Sequence, residues 1–339
     1  MRPITLDISQ GLPHRWLSHD HPAFPGPPQP LAPAVTRVGA IDCPFPVESP
    51  HEIRPDLIKL AATEPVLIVD QPLTQWRDCI RLKIQKLRST KAFVYAGDFG
   101  LHDLQFWAQQ VTFALSRLLP HGPVRANGAL PWIGSEPPDN PSDFFLGLSL
   151  SLQEDFVLMA PGHRSPLSPS DENPLRARLL SVCFPSGWVP EEKCNQSLFA
   201  IHTPVADNSR IQKAADSLST AMAQKGPFVR FVYTVAPDSK MSRDPGQPVW
   251  FDFDGLENLW FRVERQVTIP LAGVGSLFLI RLFVVPLLEI LAQPGRSKVL
   301  AEALDSMSPA LRIYKGLHHI APGLIDALRH HANKEARSA

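Results

Sequence analysis

An α+β fold follows from three observations on this chain of 339 residues. Apolar runs of strand length concentrate after about residue 150, apolar residues at three-and-four spacing dominate before it, and a helical segment stands between the second and third strand runs. Residues 1–50 hold eleven of the 36 prolines and read as an extended arm. Residues 51–150 are mainly helical. Within them Arg77, Arg81, Lys83, Lys86, Arg88 and Lys91 lie among Trp76, Ile80, Leu82, Ile84 and Leu87, and read as a solvated basic face. Leu104, Trp107, Val111, Leu115 and Leu118 define an amphipathic helix over Asp103–Leu119, stopped by Pro120-His-Gly-Pro123.

Strands are expected at Asp155–Met159 and Arg176–Phe184, then a helix at Arg210–Gln224, then strands at Pro227–Val235, Leu259–Ile269 and Ser276–Val285. Pro270-Leu-Ala-Gly-Val-Gly275 makes the last two a hairpin. Helices from Leu287 and from about Ser308 close the chain, with residues 291–339 as a helical end. This order predicts a PAS-like core over residues 151–290: a five-stranded antiparallel sheet with inserted and flanking helices.

Lys plus Arg and Asp plus Glu are each 33, so the net charge is zero and gives no electrostatic case for nucleic acid or an anionic membrane. The longest apolar run, Val267–Ala292, is broken by Pro270, Arg281, Pro286 and Glu289 and cannot span a bilayer. No secretory leader is visible, and the four cysteines lack C-x-x-C spacing. Free buried thiols in a cytoplasmic protein are therefore expected. No H-E-x-x-H, G-x-S-x-G, G-x-G-x-x-G or Walker-type sequence is present, which leaves zinc hydrolysis, serine hydrolysis and nucleotide chemistry unsupported.

Polar residues inside apolar strands are the unusual feature. Strand alternation puts Arg262, Glu264 and Gln266 on one face and Arg265 on the other. If its strand pairs with theirs, Arg230 meets Arg262 and Glu264. Such a group is either a buried Arg–Glu network fixing register or a polar pocket wall for a cation and an anion. His202, in Leu198-Phe-Ala-Ile-His-Thr-Pro-Val205, is either a hydrogen-bonded core histidine or a metal or haem ligand.

In order, the chain carries Gln153-Glu-Asp-Phe-Val-Leu158, Val182-Cys-Phe-Pro-Ser-Gly-Trp188-Val-Pro-Glu-Glu-Lys193, Ile201-His-Thr-Pro-Val205, Arg262-Val-Glu-Arg-Gln266 and Tyr314-Lys-Gly316. This series resembles the haem-dependent oxidative N-demethylase alpha-subunit family over roughly residues 50–320. The resemblance implies haem b with its iron, and removal of a methyl group from a small secondary amine such as dimethylamine, using O2. Electrons would come from partner reductase subunits carrying flavin and an iron–sulfur cluster. By the same resemblance His202 is the axial ligand and Glu264 holds the substrate ammonium, with Arg262 beside it. Arg230 donates to oxygen at the haem. Trp188 and Phe184 pack its edge, and Lys193, Arg265 and Lys315 are candidates for its propionates. The family follows the arginine of its third strand with a small residue, Asn and Trp. Here the run is Arg230-Phe-Val-Tyr233, so apolar Val232 stands where a hydrogen-bonding group is usual and the amine itself stays open. Ala206 replaces the second proline of the histidine segment. A non-enzymatic haem sensor is the alternative function.

Overall fold

The structure is a computed structural model that describes residues 4–5, 43–55, 57–61, 64–68, 73–89, 92–118, 141–162, 175–243, 251–271, 273 and 275–338. The proline-rich arm, apart from residues 4–5 and 43–50, and the helix stop at Pro120–Pro123 lie outside them. The strands are β1 (Ile4–Thr5), β2 (Ile58–Lys59), β3 (Phe93–Tyr95), β4 (Asp155–Pro161), β5 (Leu175–Ser181), β6 (Phe228–Ala236), β7 (Trp260–Leu271) and β8 (Gly275–Pro286). The helices are α1 (Leu73–Ser89), α2 (Leu101–Leu118), α3 (Pro141–Ser151), α4 (Pro190–Lys193), α5 (Leu198–His202), α6 (Ser209–Gln224), α7 (Leu287–Leu291), α8 (Arg296–Ser306), α9 (Pro309–Tyr314) and α10 (Ala321–Ser338).

All strand pairs are antiparallel, in the order β1-β3-β5-β4-β8-β7-β6-β2. The expected five-stranded sheet is therefore corrected to eight strands. The five long strands form its contiguous centre, and β1 with β3 extends one edge while β2 extends the other. The three added strands are two or three residues long, too short to display a period of two. The expected second strand also ends early, at Ser181 rather than Phe184, because Phe184 turns to donate its backbone N–H to Asp155 Oδ2 at 2.8 Å.

β7 and β8 are each twelve residues long and pair without interruption from Trp260↔Pro286 to Leu271↔Gly275. Apolar alternation buries Phe261, Val263, Val267 and Ile269 of β7. One core joins α1, α2 and α3 to the sheet through residues such as Ile80, Trp107, Phe145 and Leu179. A second lies under α7, α8 and α10, around Phe261, Leu287, Leu300 and Leu324. Phe231 of β6 touches both, so β6 and β7 run along the seam between them. At about 25 cal/mol per Å² of apolar area, burying side chains of this size is the dominant stabilisation.

The basic face of α1 departs from expectation. Lys83 is fully buried, with Nζ 2.5 Å from the Glu154 carbonyl, 3.3 Å from the Ser149 carbonyl and 3.3 Å from Asp155 Oδ1. Packing of α1 on α3 and β4 turns one helix position inward, and a carboxylate meets the lysine there. All four cysteines are free and buried, as expected. No helix among the described residues is long and apolar enough to cross a membrane.

Candidate functional site

Cross-strand register assembles the polar face. Arg230 stands opposite Gln266, Val232 opposite Glu264 and Thr234 opposite Arg262. Opposed residues project to the same side of a sheet, so Arg230, Arg262, Glu264 and Gln266 share one face, with Leu282 and Val284 of β8 beside them. Glu264 is half-buried. Its Oε1 accepts from Ser186 Oγ at 2.5 Å and its Oε2 from Gln266 Nε2 at 2.9 Å. Each oxygen keeps a second lone pair for a further donor.

Arg262 is buried, and all three of its nitrogens donate within the protein. Nη1 bonds the carbonyls of Met241 at 2.7 Å and Lys240 at 3.1 Å. Nη2 bonds Ser186 Oγ at 2.9 Å and the Phe184 carbonyl at 3.4 Å, and Nε bonds Ser186 Oγ at 3.3 Å. Arg262 thus fixes the Phe184–Ser186 segment, which delivers the Ser186 hydroxyl to Glu264. The same segment is held from its other side, where Arg243 N–H donates to the Pro185 carbonyl and Gly187 N–H to the Arg243 carbonyl. Burial pushes the Arg262 guanidinium down to about 10, against the pull of Glu264.

His202 ends the short helix α5. Ser197 caps that helix by accepting from Ala200 N–H, and Asn208 Nδ2 closes its far end on the His202 and Thr203 carbonyls at 2.6 and 3.2 Å. The ring Nδ1 lies 2.8 Å from the Leu198 carbonyl one turn back. A carbonyl only accepts, so Nδ1 carries the proton and Nε2 keeps its lone pair. Burial holds the imidazole below its ordinary range. The Leu198 contact opposes this, and the charges of Arg230 and Lys193 add to it. The ring is thus a neutral donor at neutral pH. Arg230 stands opposite Gln266 on the polar face, and its charge is felt at His202. Exposed apolar side chains flank these elements, with Phe199 at 52%, Ile313 at 61% and Tyr314 at 52% exposure.

The remaining expected residues divide. Lys193 Nζ donates to the Ile201 carbonyl at 3.3 Å, next to His202. Trp188 is half-buried against the first core and Phe184 is buried within it. Lys315 Nζ donates to the Tyr233 carbonyl at 2.7 Å and lies over the Tyr233 ring. Arg265 is not brought to the site. It projects from the opposite sheet face, buried, with Nη1 on the Val66 carbonyl at 3.2 Å and Nη2 on the Pro65 carbonyl at 2.5 Å. There it faces Arg281 across the ladder, with Glu154 as the nearby carboxylate. Ser186 and Gln266 are contacts of Glu264 that sequence reasoning did not single out as site residues. Ser186 lies outside the named strands, in a parallel bridge to Arg243, and the Arg243 and Arg262 contacts together bring it to Glu264.

Among the described residues no three His, Cys, Asp or Glu side chains group as a cage for a bare metal ion. A macrocycle that brings four nitrogens of its own needs only one protein ligand, and His202 has the tautomer such a ligand requires. Fold and site thus define an α+β protein with a polar sheet face beside a single neutral imidazole. The chain belongs to the haem-dependent oxidative N-demethylase, alpha subunit-like family, whose sequence profile matches residues 130–325. That span contains β4–β8, His202 and Glu264, and it covers more than half of the chain. The family's description names a haem-dependent oxidoreductase and an alpha subunit, hence an assembly with other subunits. No curated protein matches the chain.

Proposed function

We propose that this chain holds haem b through His202 Nε2 and catalyses oxidative N-demethylation of a small secondary amine bound at Glu264. The observation that carries the reading is the His202 Nδ1 contact with the Leu198 carbonyl, which leaves Nε2 as a neutral ligand atom close to the polar face. Haem bound there would supply iron for O2 activation and one-electron transfer. The net change is balanced: a dialkylamine, O2, two electrons and two protons give the monoalkylamine, formaldehyde and water. The electrons come from a separate reductase, as an alpha subunit implies.

The chain's own part is binding and orientation. A dialkylamine is cationic at neutral pH, and the open lone pairs of Glu264 accept its N–H groups. Val232 opposite and Leu282 beside it offer apolar surface to the alkyl groups. Arg230 is the cationic donor on the same face, toward the histidine. Arg262 acts by positioning, because its donors are committed to Ser186 and three carbonyls. Lys193 steadies the Ile201–His202 turn. Phe184 and Trp188 hold the segment that carries Ser186.

The test uses haem-loaded protein with dimethylamine, a chemical reductant and O2, reading the Soret band and formaldehyde. The expected result is a band that shifts on amine addition and formaldehyde that disappears in Glu264→Gln. A band indifferent to dimethylamine and to its ethyl and propyl analogues, with no formaldehyde, would overturn the proposal.

A further inference from the structure

Asp155 opens β4, inside the Gln153–Leu158 run. It stands opposite Ile280 of β8, and Ile280 stands opposite Gln266 of β7. Opposed residues project to the same side of a sheet, so Asp155 shares the face of Glu264 although β8 lies between their strands. Its side chain is buried.

An unbroken series of contacts runs from Asp155 to Glu264. Asp155 Oδ2 accepts the Phe184 N–H at 2.8 Å. The Phe184 carbonyl accepts from Arg262 Nη2 at 3.4 Å, and the same nitrogen donates to Ser186 Oγ at 2.9 Å. Ser186 Oγ then donates to Glu264 Oε1 at 2.5 Å. A hydroxyl has one proton, and here Arg262 fills its acceptor side, so that proton goes to the carboxylate. Where it points depends on where residues 184–186 lie. Arg262 and Arg243 hold that segment from β7 and from the loop after β6, and both are tied to that loop, through the Lys240 and Met241 carbonyls and through Asp238. Asp155 holds it to β4, in the middle of the sheet. Lys83 Nζ lies 3.3 Å from Asp155 Oδ1 on the other side, which leaves Oδ2 to Phe184.

We propose that Asp155 is a positioning residue of the amine site: by holding the Phe184 N–H it sets the Phe184–Ser186 segment and so aims the Ser186 hydroxyl at Glu264. This rests on the reading of Glu264 as the ammonium partner. A carboxylate held by Ser186 on one oxygen and by Gln266 on the other presents its remaining lone pairs in a fixed direction. Without the Phe184 contact the hydroxyl loses its aim, and amine binding weakens about tenfold, the size of a coupling carried through one hydrogen-bond network.

Two double variants separate this role from the buried ion pair. Lys83→Met with Asp155→Asn and Lys83→Met with Asp155→Leu each remove both charges together, so neither strands a buried ion. Asn and Leu have similar volumes, but only Asn offers Phe184 an acceptor. The test is calorimetric titration of the haem-loaded full chain with dimethylammonium chloride at pH 7. The Asn variant is expected to bind within about twofold of wild type, and the Leu variant about tenfold more weakly than the Asn variant. Ser186→Ala alone should bind about as weakly as the Leu variant, and adding it to both should erase the difference between them. Equal affinities of the Asn and Leu variants, or a difference that survives intact with Ser186→Ala, would overturn the positioning role, and loss of binding in Glu264→Gln would leave the Glu264 reading standing. If Glu264→Gln binds like wild type, or wild type does not bind, both fall. A second readout needs no amine. The Gly187 amide, bonded to the Arg243 carbonyl, should exchange about tenfold faster in the Leu variant than in the Asn variant, and equal protection would overturn the anchoring.

Discussion

Replacing Lys83 by methionine tests the buried contact that links α1 to the site. The change keeps the stem's volume and removes the ammonium. It leaves the Glu154 and Ser149 carbonyls without their donor and Asp155 without its counter-charge, all in a dry setting. A buried carbonyl left unpaired costs about 1–3 kcal/mol, and breaking a buried ion pair from one side costs about 3–5 kcal/mol in all. Asp155 is already pushed up by burial, with Lys83 holding it back. Without Lys83 its folded pKa rises further above the unfolded value. A raised folded pKa contributes stability that is full below the unfolded pKa and is lost as pH rises through the folded one. The deficit relative to wild type is therefore larger at pH 8 than at pH 5.5. Urea denaturation at both pH values measures it, and a Lys83→Met, Asp155→Asn double variant should recover part of the loss at pH 8. A deficit under about 1 kcal/mol, or one that grows toward low pH, would refute the reasoning.

Arg262→Leu should cost about 1–3 kcal/mol, because the buried Phe184 carbonyl and the partly buried Lys240 and Met241 carbonyls lose their donor. It should also weaken amine binding by freeing Ser186, and Arg262→Lys should restore only part of either. Full amine affinity in a folded Arg262→Leu would remove the positioning role. His51 sits at about 4 in the fold, below its ordinary 6.5, so its contribution is whole above pH 6.5 and lost as pH falls toward 4. After discounting for its partial exposure this is about 2 kcal/mol. His51→Asn should flatten that part of the stability–pH curve, whereas an equally steep curve would assign the loss to another group.

The five long strands are legible in the sequence because each is an apolar run bounded by turn residues, and β7 and β8 meet across a Pro-Leu-Ala-Gly turn. Register then follows from alternation, which places Arg262, Glu264 and Gln266 on one side and Arg265 on the other, as the strand pairing has them. What alternation does not carry is which elements cover each side. Arg265 could be read as a propionate contact because nothing local reveals that Pro65 and Val66 would close over it. Lys83 looked like its solvated neighbours because helix periodicity marks apolar positions, while its partners lie some seventy positions along the chain. Ser186 and the Tyr233–Lys315 contact depend on distant segments in the same way. His202 was legible as a residue to watch, but its tautomer required the Leu198 carbonyl to be placed.

The most direct test of the central claim is a haemin titration followed by absorption, comparing wild type, His202→Ala and His202→Gly with added imidazole. The account predicts one haem per chain with a sharp Soret band in wild type, loss of that band in His202→Ala, and its return in His202→Gly when imidazole fills the vacated position. A wild-type chain that takes up no haem, or a His202→Ala variant with an unchanged band, would contradict it.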